Sequence, residues 1–206
     1  MSYFPMFVDI SQKKCLIAGG GSVALRKAEA MSSFDATVYV IAPNIIKEIK
    51  DMETVTWYEK EIQLEDIQNY DIVIIATNDK VLNHSISKLC KEKNIPVNSV
   101  DNTKDCSFIF PAYIKKGDVV AAFSSGGQCP VVAQYLKEEM EKIMPCRIGE
   151  ISKYIGSIRE NIKNCGIAGN VKKEIYKEIL KYCLEIDDIP QKAAEDIEDI
   201  IERFLL

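Results

Sequence analysis

Short apolar runs alternate with segments of helical periodicity through the first half of the chain. Lys14–Ala18 (KCLIA) is a compact apolar strand that stops at three glycines. Residues 22–33 (SVALRKAEAMSS) put Val23, Ala24, Ala28 and Met31 on or near one face, which predicts a helix. Thr37–Ala42 (TVYVIA) is β-branched and predicts a second strand closed by Pro43–Asn44, and Val55–Tyr58 is a weaker third. Asp71–Ala76 (DIVIIA) is apolar almost throughout, as a strand covered on both faces should be, and ends at Thr77–Asn78–Asp79. A helix over 80–93 carries Leu82, Ile86 and Leu89 at helical spacing. Ile95–Val100 is the next strand, and Phe108–Phe110 leads out to Pro111. This alternation predicts an α/β fold, a doubly wound parallel sheet with right-handed crossovers.

The pattern changes after Pro111. Ala112–Ile114 and Val119–Ser124 read as two strands around Lys115–Asp118, followed by Ser124–Gly127 and a helix over about 130–143 with Pro130 in its first turn. From 146 onward the chain reads as helical, with Ile175, Ile179 and Cys183 on one face and Ile197, Ile200, Ile201 and Phe204 or Leu205 on another. The expected layout is residues 1–112 as the doubly wound domain, 113–145 as a β-hairpin-plus-helix module, and 146–206 as a helical C-terminal domain.

Composition narrows the function. A net charge of −5 disfavours nucleic acid, which needs a basic face. No apolar run approaches the roughly 20 residues that span a bilayer, and MSYFPMFVDISQKK lacks a basic region followed by an apolar stretch. The expectation is a soluble cytoplasmic chain with no membrane partner. The seven cysteines are odd in number, scattered and never in CxxC spacing, so reduced thiols are expected rather than a disulfide framework or a zinc site. The single histidine, His84, falls on a helix surface, and no resident metal is expected.

Gly19, Gly21 and Ala24 form GxGxxA between a strand and a helix. In that context the first glycine permits the tight turn, the second lets backbone approach a pyrophosphate, and Ala24 allows close helix–strand packing. The helix N-terminus supplies N–H groups for the phosphates. The pattern predicts a Rossmann-type domain binding a nicotinamide dinucleotide, with Thr77 and Asn78 at the end of the Asp71–Ala76 strand as further cofactor positions. The second strand ends in Ala42–Pro43–Asn44, where such folds place a ribose-binding carboxylate. Asn44 can still bond a ribose hydroxyl, and the lack of an arginine mildly favours NAD over NADP. Asp101 follows the fifth strand at the carboxyl edge, where ligands of open α/β sheets collect; it is either a catalytic carboxylate or a loop cap. Ser124, Ser125 and Gly126 precede a helix and form either an anion site or an N-cap turn.

Several segments together resemble one family. FPMFVDISQKKCLIAGGGSVALRKAEAM, DIVIIATND, VNSVDNTKDCSFIFPAYIKKGDVVAAFSSGGQCPVVAQYLKEEME and CRIGEISKYIGSIRE are similar to the precorrin-2 dehydrogenases of siroheme synthesis, including the dehydrogenase–ferrochelatase module of siroheme synthases. The resemblance implies NAD-dependent oxidation of the tetrapyrrole precorrin-2 to sirohydrochlorin, with ferrous iron insertion open. It implies that Asp101 matches an aspartate implicated in catalysis. Ser22, Val23, Pro43 and Asn44 match cofactor-contacting positions, and Ser125 matches a serine near the substrate, with Ser124 and Gly126 beside it. It further implies that the middle module dimerises, giving a homodimer. Lys104, Lys115, Lys116 and Arg147 are candidates for the substrate's carboxylates. The competing reading is a regulatory dinucleotide sensor without catalysis, which leaves SSGG-x-x-P and VD–SFIFPA unexplained.

Overall fold

The computed structural model describes residues 3–164, 166, 168–186, 200, 201 and 203. Of the expected apolar face in the tail, Ile197, Phe204 and Leu205 lie outside the described residues. Two compact units divide the chain, Met1–Phe110 and Pro111–Leu206.

The first unit contains β1 (Lys14–Ala18), α1 (Ser22–Ser32), β2 (Thr37–Ala42), the short α2 (Lys47–Lys50), β3 (Val55–Glu59), β4 (Ile72–Ile75), α3 (Lys80–Glu92) and β5 (Val97–Ser99). All strand pairs are parallel and the order is β3-β2-β1-β4-β5. Leaving β1 on both sides puts a topological switch point at its carboxyl end, where a Rossmann fold takes its ligand. The apolar content of β1, β2 and β4 has a direct cause: these strands are covered on both faces. Cys15, Ile17, Val38, Val40 and Ile74 pack against Ala24, Ala28 and Met31 of α1. Leu16, Ile41, Val73 and Ile75 pack on the other side with Ile86 and Cys90 of α3.

Two strands are shorter than their apolar runs suggest. Asp71 lies just before β4, where its carboxylate accepts the backbone N–H of Lys14 at 2.9 Å and its own N–H donates to the Lys14 carbonyl. The strand after Pro96 begins only at Val97; proline has no N–H to give the ladder. Two 3₁₀ turns, Leu64–Asn69 and Thr103–Asp105, and the one-turn α2 have no periodicity long enough to announce them.

The second unit holds the antiparallel pair β6 (Ala112–Lys116) and β7 (Val119–Phe123), then α4 (Pro130–Ile143), α5 (Ile148–Ser157), α6 (Arg159–Asn164) and α7 (Gly169–Glu185). Its separate core is Ile151, Ile162, Ile175, Ile179, Cys183 and Ile200. The six free cysteines described form no disulfide. No described helix is long and apolar enough to cross a membrane.

Two glycines of α5 make opposite demands. A Cβ on Gly149 would collide with the carbonyl of Lys116 in the hairpin, whereas one on Gly156 meets nothing within 4 Å. Gly149→Ala is therefore expected to destabilise the protein by about 1–3 kcal/mol. Gly156→Ala should stabilise it by about 0.5–1 kcal/mol. Urea unfolding of the two variants checks both signs.

Candidate functional site at the carboxyl edge of the parallel sheet

The turn between β1 and α1 is built by close backbone approaches. Gly19 has φ +124°, and a Cβ there would strike the carbonyl of Ala76 just past β4. Gly20 has the same restriction against the carbonyl of Asn44, and its own carbonyl accepts the N–H of Ile46 at 2.9 Å. The middle glycine of the triplet therefore locks the turn to the loop after β2, a role the GxGxxA pattern does not contain. Gly21 is different: a Cβ there would meet nothing within 4 Å. Open space beside an exposed glycine at a helix N-terminus is where backbone can meet a phosphate. Ala24 is fully buried, as close packing of α1 on the sheet requires.

The helix termini at this edge are unequal. α3 is capped by its own carboxylate, since Asp79 accepts from the N–H groups of Val81 and Leu82 at 2.9 and 3.0 Å. α1 follows Gly21 as its N-terminal cap position, with no side-chain cap and no acidic residue in its first turn. The uncapped first-turn N–H groups of α1, those of Ser22, Val23 and Ala24, lack an intrahelical acceptor. Their partial positive charge suits an anion. These observations fit a dinucleotide pyrophosphate.

Around that turn, Pro43 and Asn44 are exposed at the end of β2, and Ser22 is exposed while Val23 is half-buried. Thr77 is half-buried and Asn78 exposed past β4. Thr77 is fixed by a residue the sequence pattern does not single out. Its hydroxyl donates to Oδ1 of buried Asn83, whose Nδ2 returns a bond to the Thr77 carbonyl at 3.0 Å. A polar residue on the buried face of a helix was the available signal.

Asp101 is exposed on the loop after β5, and its carboxylate takes no hydrogen bond or ion pair among the described residues. The loop that carries it is anchored four residues later. Asp105 is only 7% exposed; its Oδ1 accepts from His84 Nδ1 at 3.1 Å and its Oδ2 from Asn102 Nδ2 at 2.7 Å. Ser87 and Lys91 of α3 donate to the carbonyls of Asp105 and Lys104, each at 2.7 Å. His84 is thus a clamp between helix and loop as well as a surface residue. The Cys106 thiol bonds the Ser99 N–H at 3.1 Å at the end of β5, and burial pushes its pKa up.

Lys27 on α1 stands 3.6 Å above the ring of Phe110 and has no carboxylate partner among the described residues. Burial, with the neighbouring Arg26 charge, pushes its pKa down to about 8.

In the second unit, Ser124 is exposed while Ser125 and Gly126 are half-buried. Ser124 Oγ accepts the N–H of Gly126 and Ser125 Oγ that of Cys129, both at 3.0 Å. The hydroxyls order the turn before α4, and their protons stay available to an acceptor. Lys116 and Arg147, two of the candidate cations, have partners inside this unit, and Lys115 is not free either. Lys116 donates to the Met144 carbonyl at 3.2 Å, and Arg147 donates to the Ile186 carbonyl at 2.6 Å and pairs with Glu150.

A family model described as "Putative NAD(P)-binding" matches residues 6–112. The siroheme synthase of Photorhabdus laumondii subsp. laumondii is 37% identical over 166 residues, 79% of this chain and 35% of that protein. The siroheme synthase of Blochmanniella floridana is 34% identical over 196 residues, 94% of this chain and 42% of the relative. The chain thus spans well under half the length of these curated relatives. Among solved structures, SirC, precorrin-2 dehydrogenase, shares the fold with a TM-score of 0.70 at 22% identity, covering 98% of this chain and 99% of that one.

The unpaired Lys27 sets a pH dependence. Its folded-state value of about 8 lies below the ordinary 10.5, so between those values the unfolded chain holds a proton that the folded one has released. Stability then rises with pH across that window. Lys27→Met is expected to raise Tm at pH 7, with the advantage fading as pH climbs from 8 towards 10.5; thermal melts across that range test the sign.

Proposed function

The chain belongs to this NAD(P)-binding family, and from its likeness to siroheme synthases we propose that it oxidises precorrin-2 to sirohydrochlorin in siroheme synthesis, with NAD as hydride acceptor. The observation that carries the reading is the reach of the likeness to siroheme synthases. Its 166 residues exceed the 110 of the first unit, so the likeness runs past the dinucleotide-binding part into the hairpin-and-helix unit. A regulatory dinucleotide module needs the glycine turn alone.

On this reading the N–H groups of Gly21, Ser22 and Val23 hold the pyrophosphate, and Gly19 keeps the turn tight. Pro43 and Asn44 border the adenosine ribose. Thr77 and Asn78 border the nicotinamide half, with Asn83 holding Thr77 still. Bound NAD supplies the hydride acceptor. Asp101 receives the proton that leaves the reduced tetrapyrrole, and the absence of an internal partner among the described residues leaves its carboxylate available to substrate. Ser124, Ser125 and Gly126 bind the substrate's acidic side chains through hydroxyl and backbone donors. Ferrous iron, as a second substrate, would also require proton loss from the macrocycle, and on this reading Asp101 accepts those protons too. The enzyme acts in the cytoplasm as a homodimer. Support for self-association comes from α4, where Val131, Tyr135 and Ile143 are 73%, 58% and 73% exposed.

The test is an anaerobic assay of precorrin-2 with NAD, with and without ferrous ion, following sirohydrochlorin absorbance. NAD-dependent product is expected, and Asp101→Ala should lower kcat by about 100-fold while NAD affinity stays within about twofold. A folded protein that binds NAD without turnover would move the assignment to the sensor reading, and a fully active Asp101→Ala would remove that carboxylate from the chemistry.

A further inference from the structure

The end of β2 lacks the carboxylate that Rossmann folds direct at the adenosine ribose, yet a carboxylate is present there. It comes from the neighbouring strand. Glu59, the last residue of β3, pairs in register with Ala42, the last residue of β2. Its Oε1 accepts the backbone N–H of Ile45 at 3.3 Å and the Lys50 ammonium at 2.8 Å. The side chain therefore reaches across to the loop 43–46. That loop is the one the glycine turn abuts, through the Gly20–Asn44 approach and the Ile46 N–H to Gly20 carbonyl bond. Oε2 has no partner among the described residues, and an ionised carboxylate has acceptor sites to spare.

We infer that Glu59 is the residue that selects NAD over NADP, accepting the ribose 2′-hydroxyl in place of the missing β2 carboxylate. The inference rests on the dinucleotide reading of the glycine turn, and it adds a determinant that the β2 sequence does not contain. A carboxylate accepts from a hydroxyl and repels a 2′-phosphate. The Lys50 hydrogen bond, reinforced by the Ile45 N–H, holds the Glu59 carboxyl below its usual range, so it is the ionised acceptor at neutral pH.

Lys50 makes the assignment sharp. Its ammonium lies between Glu59 and the face of Trp57, 5.2 Å from the ring centroid. While Glu59 is present, its carboxylate offsets much of the Lys50 charge and takes one of its three donors. Once Glu59 is removed, the same ammonium is an unpaired cation beside the ribose position, which is what a 2′-phosphate seeks. One substitution should therefore weaken one cofactor and strengthen the other, an outcome that loss of structure does not produce.

Dissociation constants for NAD and NADP are to be measured by titration calorimetry on the intact chain, in wild type, Glu59→Gln, Lys50→Met and the double variant, with thermal melts as a folding control. The wild type should prefer NAD. Glu59→Gln should lose about tenfold in NAD affinity and gain about tenfold for NADP, and the double variant should keep the NAD loss without the NADP gain. A Glu59→Gln protein whose NAD-to-NADP ratio stays within about twofold of wild type overturns the inference and leaves the dinucleotide site intact. A wild type that binds neither nucleotide overturns the dinucleotide reading itself.

Discussion

The backbone of Gly19 lies against the carbonyl of Ala76 and that of Gly20 against the carbonyl of Asn44, with no room at either place for a side chain. These two approaches tie the β1–α1 turn to the ends of β4 and β2 at once. Every element of the candidate cofactor site hangs from them: the bare N-terminus of α1, the loop 43–46 that Glu59 reaches, and Thr77 one residue beyond Ala76. The sheet order makes this possible, because β1 has β2 on one side and β4 on the other.

Electrostatics at this edge are divided between groups that are satisfied internally and groups that are not. Asp79, Asp105 and Glu59 each accept hydrogen bonds from the protein, and each holds a piece of backbone: the start of α3, the loop after β5, and the loop after β2. Among the described residues, the first turn of α1 and the Asp101 carboxylate have no such partner, and Lys27 has the Phe110 ring but no carboxylate. Burial makes the Lys27 charge costly, whereas the exposed Asp101 carboxylate is answered by water until a ligand replaces it. On the proposed reading the division separates scaffold from ligand-facing surface, and Glu59 serves both, its Oε1 holding the loop after β2 while Oε2 is left for the ribose.

The parallel sheet was legible because β1, β2 and β4 are covered on both sides, and double coverage demands runs as continuous as CLIA, VYVIA and IVII. Gly19, Gly21 and Ala24 were legible because the motif is local, a few consecutive residues between a strand and a helix. What stayed hidden is non-local. Gly20 matters through Asn44, Asn83 through Thr77, and Glu59 through Ile45, contacts set by register and by the crossing of strands. His84 shows the same limit from the other side: its spacing marks a helix surface correctly, yet its partner Asp105 lies 21 residues away on a different loop. The 3₁₀ turns escaped for a simpler reason, since one or two turns carry too few residues to establish a period.

The pinned glycine turn also bears on how fast a cofactor comes and goes. A loop held at both flanks has already given up its conformational freedom during folding, so little ordering remains to be done when a dinucleotide arrives. Association with such a surface is governed by diffusion and orientation, and differences in affinity between cofactors appear mainly as differences in residence time. On the proposed reading, the first two glycines of the triplet thereby make the site a preformed receptor, with selectivity expressed in the rate of departure.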